Sequence, residues 1–150
     1  MKKLLANQDG TSVIETALLA PILGGLVVGT IDLAMGYSER LQLEQAAHRS
    51  IERVMQQRTA SSDYSADLKA EAATAAGVSQ TNVTVNQWLE CNAVVQDADV
   101  EFCPNDTDIY ARYVEVVITD TYTPFIGTLF PGTNNDGTYP LTGTAGIRIQ

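Results

Sequence analysis

Residues 13–37, VIETALLAPILGGLVVGTIDLAMGY, decide the fold of this chain. These 25 residues carry only two charges, Glu15 and Asp32, whereas the other 125 residues carry the remaining 25. The mostly apolar residues between the two acids, Thr16 to Ile31, would rise about 24 Å as a helix. With the apolar residues on either side, the stretch approaches the ~30 Å hydrocarbon core of a bilayer. The sequence therefore predicts one membrane-spanning helix over about 13–37.

The overall composition averages two different parts of the chain. The 150 residues have a net charge of −9 and a mean hydropathy of −0.03, which alone would suggest a soluble acidic protein. Residues 59–150 account for the whole −9. This balance argues against nucleic acid as a partner, because binding phosphates requires clustered positive charge. Lys2 and Lys3 precede the apolar stretch, which favours a cytoplasmic N-terminus and an exported C-terminal part.

The helix is predicted to continue beyond the apolar stretch. Residues 38–58 contain no Pro or Gly, and Leu43, Ala47 and Ile51 recur every four residues, as on one face of an amphipathic helix. A cleavable secretory signal ending near Ala34–Gly36 is an alternative, but its apolar core would be unusually long. We expect one helix from about residue 12 to residue 58.

The exported part, residues 59–150, is predicted to be a small α+β head. An Ala-rich segment, 66–76, indicates a short second helix ended by Gly77. Three segments alternate apolar and polar residues as strands do: 81–90, 111–122 and 141–149. An antiparallel three-stranded sheet packed on the helices would bury their apolar faces.

Cys91 and Cys103 flank an eleven-residue segment. Outside the cytoplasm they are expected to form a disulfide, with two free thiols as the alternative. Five acids lie in or beside this segment, which favours a solvated acidic loop over a Ca²⁺ site because EF-hand spacing is absent. The lone histidine, His48, falls on the amphipathic helix, so neither a catalytic site nor a metal or cofactor site is predicted.

The start of the helix resembles the processing site of type IV prepilins. In that family a prepilin peptidase cuts after a glycine, and a glutamate is fifth after the cut. Here the cut would follow Gly10, Thr11 would become the new N-terminus, and Glu15 is fifth. Pro21 is six after Glu15, and Asp32 takes an acidic position near the end of the span. Over residues 9–55 this pattern is similar to the TadE-like pseudopilins of the tight-adherence (Tad, Flp-type) pilus system.

The resemblance implies a role for Glu15. In pilin-like subunits this carboxylate is thought to neutralise the freed N-terminal amine of a neighbouring subunit, which would offset the cost of a charge in lipid. Physical reasoning adds that Pro21 should kink the helix and that Gly24, Gly25 and Gly29 would admit another helix at close range.

The expected domain division is a cytoplasmic leader (1–10), a long helix (11–58; span 13–37, amphipathic stalk 38–58) and the exported head (59–150). The resemblance implies a minor pilin or pseudopilin that is not an enzyme, inserted in the inner membrane and acting in assembly or at the pilus tip. Its partners would be other pilins, the prepilin peptidase and the inner-membrane assembly platform. Two alternatives stay open: an unprocessed single-pass anchor with a periplasmic binding head, and a periplasmic enzyme or metal-binding module.

Overall fold

The structure, a computed structural model, confirms the α+β class and the order of its elements. It describes residues 11–57, 64–97, 100, 102–105, 107–125 and 134–149. Helix α1 spans Thr11–Gln57 and helix α2 spans Tyr64–Ala76, with a short 3-10 turn at Gln80–Asn82. The strands are β1 (Val83–Cys91), β2 (Val94–Val95), β3 (Tyr110–Tyr122) and β4 (Tyr139–Arg148).

The four strands form one antiparallel sheet in the order β2-β1-β3-β4. Cys91 pairs with Tyr110 at one end of the sheet, and Tyr122 pairs with Tyr139 at the other. Twelve residues of strand separate the two ends of β3, or about 40 Å at 3.3 Å per residue. The disulfide loop and the β3–β4 connection therefore lie at opposite ends of the sheet.

The fourth strand, β2, corrects the predicted three-stranded sheet. It pairs with the end of β1 through a two-residue turn in which Asn92 and Ala93 have φ values of 53° and 65°. Tight hairpin turns need positive φ at both central positions and usually take Asn-Gly there. Because Ala replaces the glycine, the sequence lacked the pattern by which this hairpin is recognised. The Asn92 side chain also accepts a hydrogen bond from the Ile109 amide at 3.0 Å and so ties the turn to the following loop.

The core lies between one face of the sheet and both helices. Val114, Val116 and Ile118 are buried on this face, as their alternation predicts, but Ile147 is exposed on β4. The helices cover the sheet with mostly small side chains from α1 and α2: Leu43, Ala46, Ala47, Ile51, Leu68, Ala72 and Ala73. The predicted amphipathic face of α1 is therefore its packing face in the head.

Helix α2 ends at Gly77, as predicted. Gly77 has φ +71°, its amide donates to the Thr74 carbonyl at 3.3 Å, and the Val78 amide donates to the Ala73 carbonyl at 3.0 Å. This is the Schellman arrangement, in which a left-handed residue satisfies the last carbonyls of a helix. Val78 then packs against the core, which turns the chain into β1.

Helix α1 approaches β4 most closely at Gly143. A Cβ atom at this position would lie 2.4 Å from the Leu43 carbonyl carbon and 2.5 Å from the Glu44 amide nitrogen. These are backbone atoms of the helix, which cannot move aside as a flexible side chain can. Glycine at 143 therefore lets the long helix lie directly on the sheet.

We predict that Gly143→Ala destabilises the head by about 1–3 kcal/mol, the usual cost of overpacking a core. Gly146→Ala is the matched control on the same strand, because its Cβ would meet only ordinary contacts at 3.6 Å and beyond. Urea denaturation followed by Trp88 fluorescence measures both changes. Equal midpoints for the two variants would contradict the close approach of helix and sheet.

Candidate functional site

The first part of α1 carries an apolar surface that the head does not cover. From Val13 to Ile31 its ten large aliphatic side chains are between 39% and 69% exposed. At 1.5 Å per residue these nineteen residues rise about 28 Å, close to the ~30 Å hydrocarbon core of a bilayer. This helix could span a membrane by its length and composition. The candidate functional site is this surface together with the point where it meets the head.

The residues predicted to act in processing and assembly lie on or beside this surface. Glu15 is exposed on the second turn of α1, and the helix continues through Pro21. A Cβ atom on Gly24 or Gly25 would meet nothing within 4 Å, so the space beside both glycines is open. Gly10 lies outside the described residues. Glu15, Gly24 and Gly25 therefore lie on the part of α1 that the described head does not cover, and their roles and the kink at Pro21 stay predictions.

Asp32 marks the point where the head begins to contact α1. Its side chain is only 2% exposed, although residues on both sides of it are exposed. One carboxylate oxygen, Oδ1, accepts a hydrogen bond from the Tyr122 hydroxyl at 2.5 Å and another from the Phe125 amide at 3.0 Å. A buried carboxylate needs such donors, because burial without them is costly. Among the described residues, no buried side-chain nitrogen or oxygen is left without a partner.

The Tyr122 ring lies on α1 one turn beyond Asp32. A Cβ atom on Gly36 would lie 3.2 Å from ring carbon Cδ1 and 3.3 Å from Cε1 of Tyr122. Glycine at position 36 therefore allows the ring to approach the helix backbone while its hydroxyl reaches Asp32. Sequence analysis placed Asp32 at the end of the span but missed its partner, because nothing in one sequence links residues 90 positions apart.

The bond to Asp32 also changes the acidity of Tyr122. The hydrogen bond to Asp32, burial, and the negative charges of Asp32 and Glu39 raise the pKa of Tyr122 from 10.0 to about 12. All of these effects favour the protonated phenol, which is the form that donates to the carboxylate.

At the far end of the sheet, Cys91 and Cys103 form the predicted disulfide, with their Cα atoms 5.8 Å apart. Closing a loop of this length contributes about 3 kcal/mol in the chain-entropy model. The Asp108 carboxylate accepts a hydrogen bond from the Asn92 side chain at 2.8 Å, so this acid holds the loop together. Asp99, Glu101 and Asp106 lie outside the described residues, and within the described ones no cluster of three metal-ligating side chains occurs.

We predict that Tyr122→Phe destabilises the head at neutral pH by about 1.5–3 kcal/mol, as expected for losing a hydrogen bond to a charged group. The raised pKa of Tyr122 means that this stabilisation is complete below pH 10.0 and is lost as the pH rises through about 12. Urea denaturation at a series of pH values measures both effects.

Tyr110→Phe, at the opposite and exposed end of β3, is the control and should change stability little. A difference between wild type and Tyr122→Phe that stays constant up to the highest pH would contradict the Asp32–Tyr122 bond.

Comparison with known proteins supports the resemblance drawn from the sequence. Residues 10–51 match the family model of TadE-like proteins, which confirms the resemblance over this segment. A search of curated proteins and a search of solved structures each gave no match. The matched segment holds the exposed apolar surface, Asp32 and most of the face that packs on the sheet. The N-terminal helix of this chain is therefore similar to that of TadE-like proteins.

Proposed function

We propose that the protein is a minor pilin or pseudopilin of a Tad pilus, held in the inner membrane by α1 before assembly. The observation that carries this proposal is the division of one continuous helix at Asp32. Its N-terminal part is apolar and exposed, and its C-terminal part is built into the core of the head. The helix is thus a rigid connection between the folded head and an apolar environment.

An exposed apolar surface of this length requires a cover. Burying a large aliphatic side chain is worth about 1.5–3 kcal/mol, so ten of them left in water would strongly favour association. Lipid tails can cover this surface in the membrane, and helices of other subunits can cover it in a filament. A pilin subunit passes between these two environments, which explains why the surface is apolar on all sides.

In this proposal the span is residues 13–31, shorter than the 13–37 expected from sequence, because Asp32 is already part of the head contact. Lys2 and Lys3 hold the N-terminus in the cytoplasm, and the acidic head lies in the periplasm. The disulfide is compatible with that compartment, where disulfides persist.

The prepilin peptidase would cut after Gly10 and leave a free amine on Thr11, the first residue of α1. Glu15 lies one helical turn further on, near the membrane boundary. A carboxylate within a membrane helix is costly when unpaired, and the amine of a neighbouring subunit would supply the compensating charge. Glu15 would therefore contribute to subunit assembly and not to the fold of the head.

We predict that the mature protein begins at Thr11 in cells that contain a prepilin peptidase and at Met1 in cells that lack it. Mass spectrometry of the purified N-terminus distinguishes the two. Gly10→Leu should block the cut, whereas Asp9→Asn, beside it, should leave the cut in place. A wild-type chain that starts at Met1 in both strains would contradict processing and would favour the unprocessed membrane anchor.

A Glu15→Gln chain separates processing from assembly in the same cells. It should begin at Thr11 and keep a folded head, yet no longer co-purify with other pilins. Glu39→Gln, an exposed acid beyond the span, is the control and should co-purify normally. Normal assembly of Glu15→Gln would remove the pairing role while leaving the cut after Gly10 intact.

A further inference from the structure

A cavity of ≈ 400 Å³ lies between α1 and the end of the sheet that contacts Asp32. Its helix side is formed by Asp32 and by the residues that follow it along one face of α1: Leu33, Gly36, Tyr37 and Arg40. Its volume is within the range of about 300–1,000 Å³ typical of small-molecule sites. Neither the proposed function nor the packing of the core accounts for this cavity.

The opposite side of the cavity comes from the head. It consists of Tyr122 and Pro124 at the end of β3 and of residues 139–141 at the start of β4. Most of the lining is therefore apolar or aromatic. Among its described residues Arg40 is the one cation and Asp32 the one acid, and the Asp32 carboxylate is already bonded to Tyr122 and Phe125. The Arg40 Nε lies 3.3 Å from a Glu44 carboxylate oxygen, and its remaining N–H groups leave donors for a further acceptor.

The position of the cavity points to its ligand. If residues 13–31 span the bilayer, the cavity begins at the first turn outside the hydrocarbon core. From Leu33 to Arg40 the helix rises about 10 Å. The headgroup zone of one leaflet is about 5–8 Å thick, and long side chains lean toward the helix N-terminus, which brings Arg40 down toward this zone. Tyr37, Tyr122 and Tyr139 also suit this level, because tyrosine is enriched at membrane interfaces.

We propose that this cavity binds a phospholipid of the leaflet on the side of the head. The glycerol end and upper acyl carbons occupy the apolar part, and the phosphate pairs with Arg40, since guanidinium groups match phosphate geometry. The bound lipid fills the gap between helix and sheet and holds the head at the membrane surface. This inference rests on the proposed membrane insertion.

The test uses the full chain in phosphatidylcholine vesicles that contain phosphatidylglycerol with a diazirine near the glycerol end of one acyl chain. After irradiation, mass spectrometry locates the labelled residues. Labelling of residues 13–31 reports insertion, and labelling of residues 139–141, which belong to the head, reports occupation of the cavity. We expect both in the wild-type protein.

Leu33→Trp fills the cavity from the helix side and should lower labelling of 139–141 at least about fivefold without changing that of 13–31. Leu33 is 61% exposed, so the fold should tolerate the change. Met35→Trp is the matched control, since Met35 lies at the same depth, is 46% exposed and does not line the cavity. Arg40→Gln should also lower the labelling of 139–141, and Arg40→Lys should restore much of it.

Four results would overturn the inference. If residues 13–31 are labelled and residues 139–141 are not, the proposed function stands and the lipid site is excluded. If neither segment is labelled, the result counts against both the membrane insertion and the lipid site. Labelling of 139–141 that Leu33→Trp leaves unchanged would place the lipid outside the cavity. Labelling of 139–141 that disappears as the number of copies per vesicle rises would assign the cavity to a second copy of the chain.

Discussion

The buried carboxylate of Asp32 is the interaction on which the arrangement of this protein depends. Apart from the close packing of α1 on the sheet, it is the contact that fixes where along the helix the head begins. The Tyr122 hydroxyl and the Phe125 amide both point at the same oxygen, so the end of β3 is held to one turn of α1. A charged group at 2% exposure is stable only with such donors, and it could not be moved one turn into the apolar segment without losing them.

The junction explains how one helix serves two environments. Before Asp32 its side chains are mostly exposed and apolar, and after it the small residues Ala46, Ala47 and Ser50 are buried against the sheet. The Ser50 hydroxyl donates to the Ala47 carbonyl at 2.7 Å, so even this buried polar group is satisfied within the helix. Gly143 admits the helix backbone, and the disulfide closes the opposite end of the sheet. The head is therefore secured at both ends and along its length, while residues 13–31 remain available to lipid or to other helices.

Much of the fold could be predicted from sequence because it depends on local patterns. Periodicity predicted a helix over 12–58, observed at Thr11–Gln57, and alternation located the three long strands to within a few residues. Gly77 ends α2 as predicted, in the left-handed conformation (φ +71°) that glycine adopts readily. The elements that could not be predicted depend on contacts distant in sequence or on unusual local choices. Nothing in the sequence around Tyr122 indicates that its hydroxyl bonds Asp32, and nothing around Gly143 indicates that helix α1 packs on it. Ala93 occupies a turn position that usually takes glycine, so the β1–β2 hairpin gave no recognisable pattern.

The most direct test of a helix divided at Asp32 is the reactivity of single cysteines on either side of it. The two native cysteines are paired in the disulfide, so an introduced cysteine would be the free thiol. Val28→Cys and Ser38→Cys both lie at exposed positions of α1, so they differ in reactivity only if lipid or another helix covers the apolar part. With intact cells lacking the outer membrane barrier and a membrane-impermeant maleimide, we expect Ser38→Cys to react and Val28→Cys to be protected until detergent is added. Equal reactivity of the two cysteines before detergent would contradict the division of the helix at Asp32.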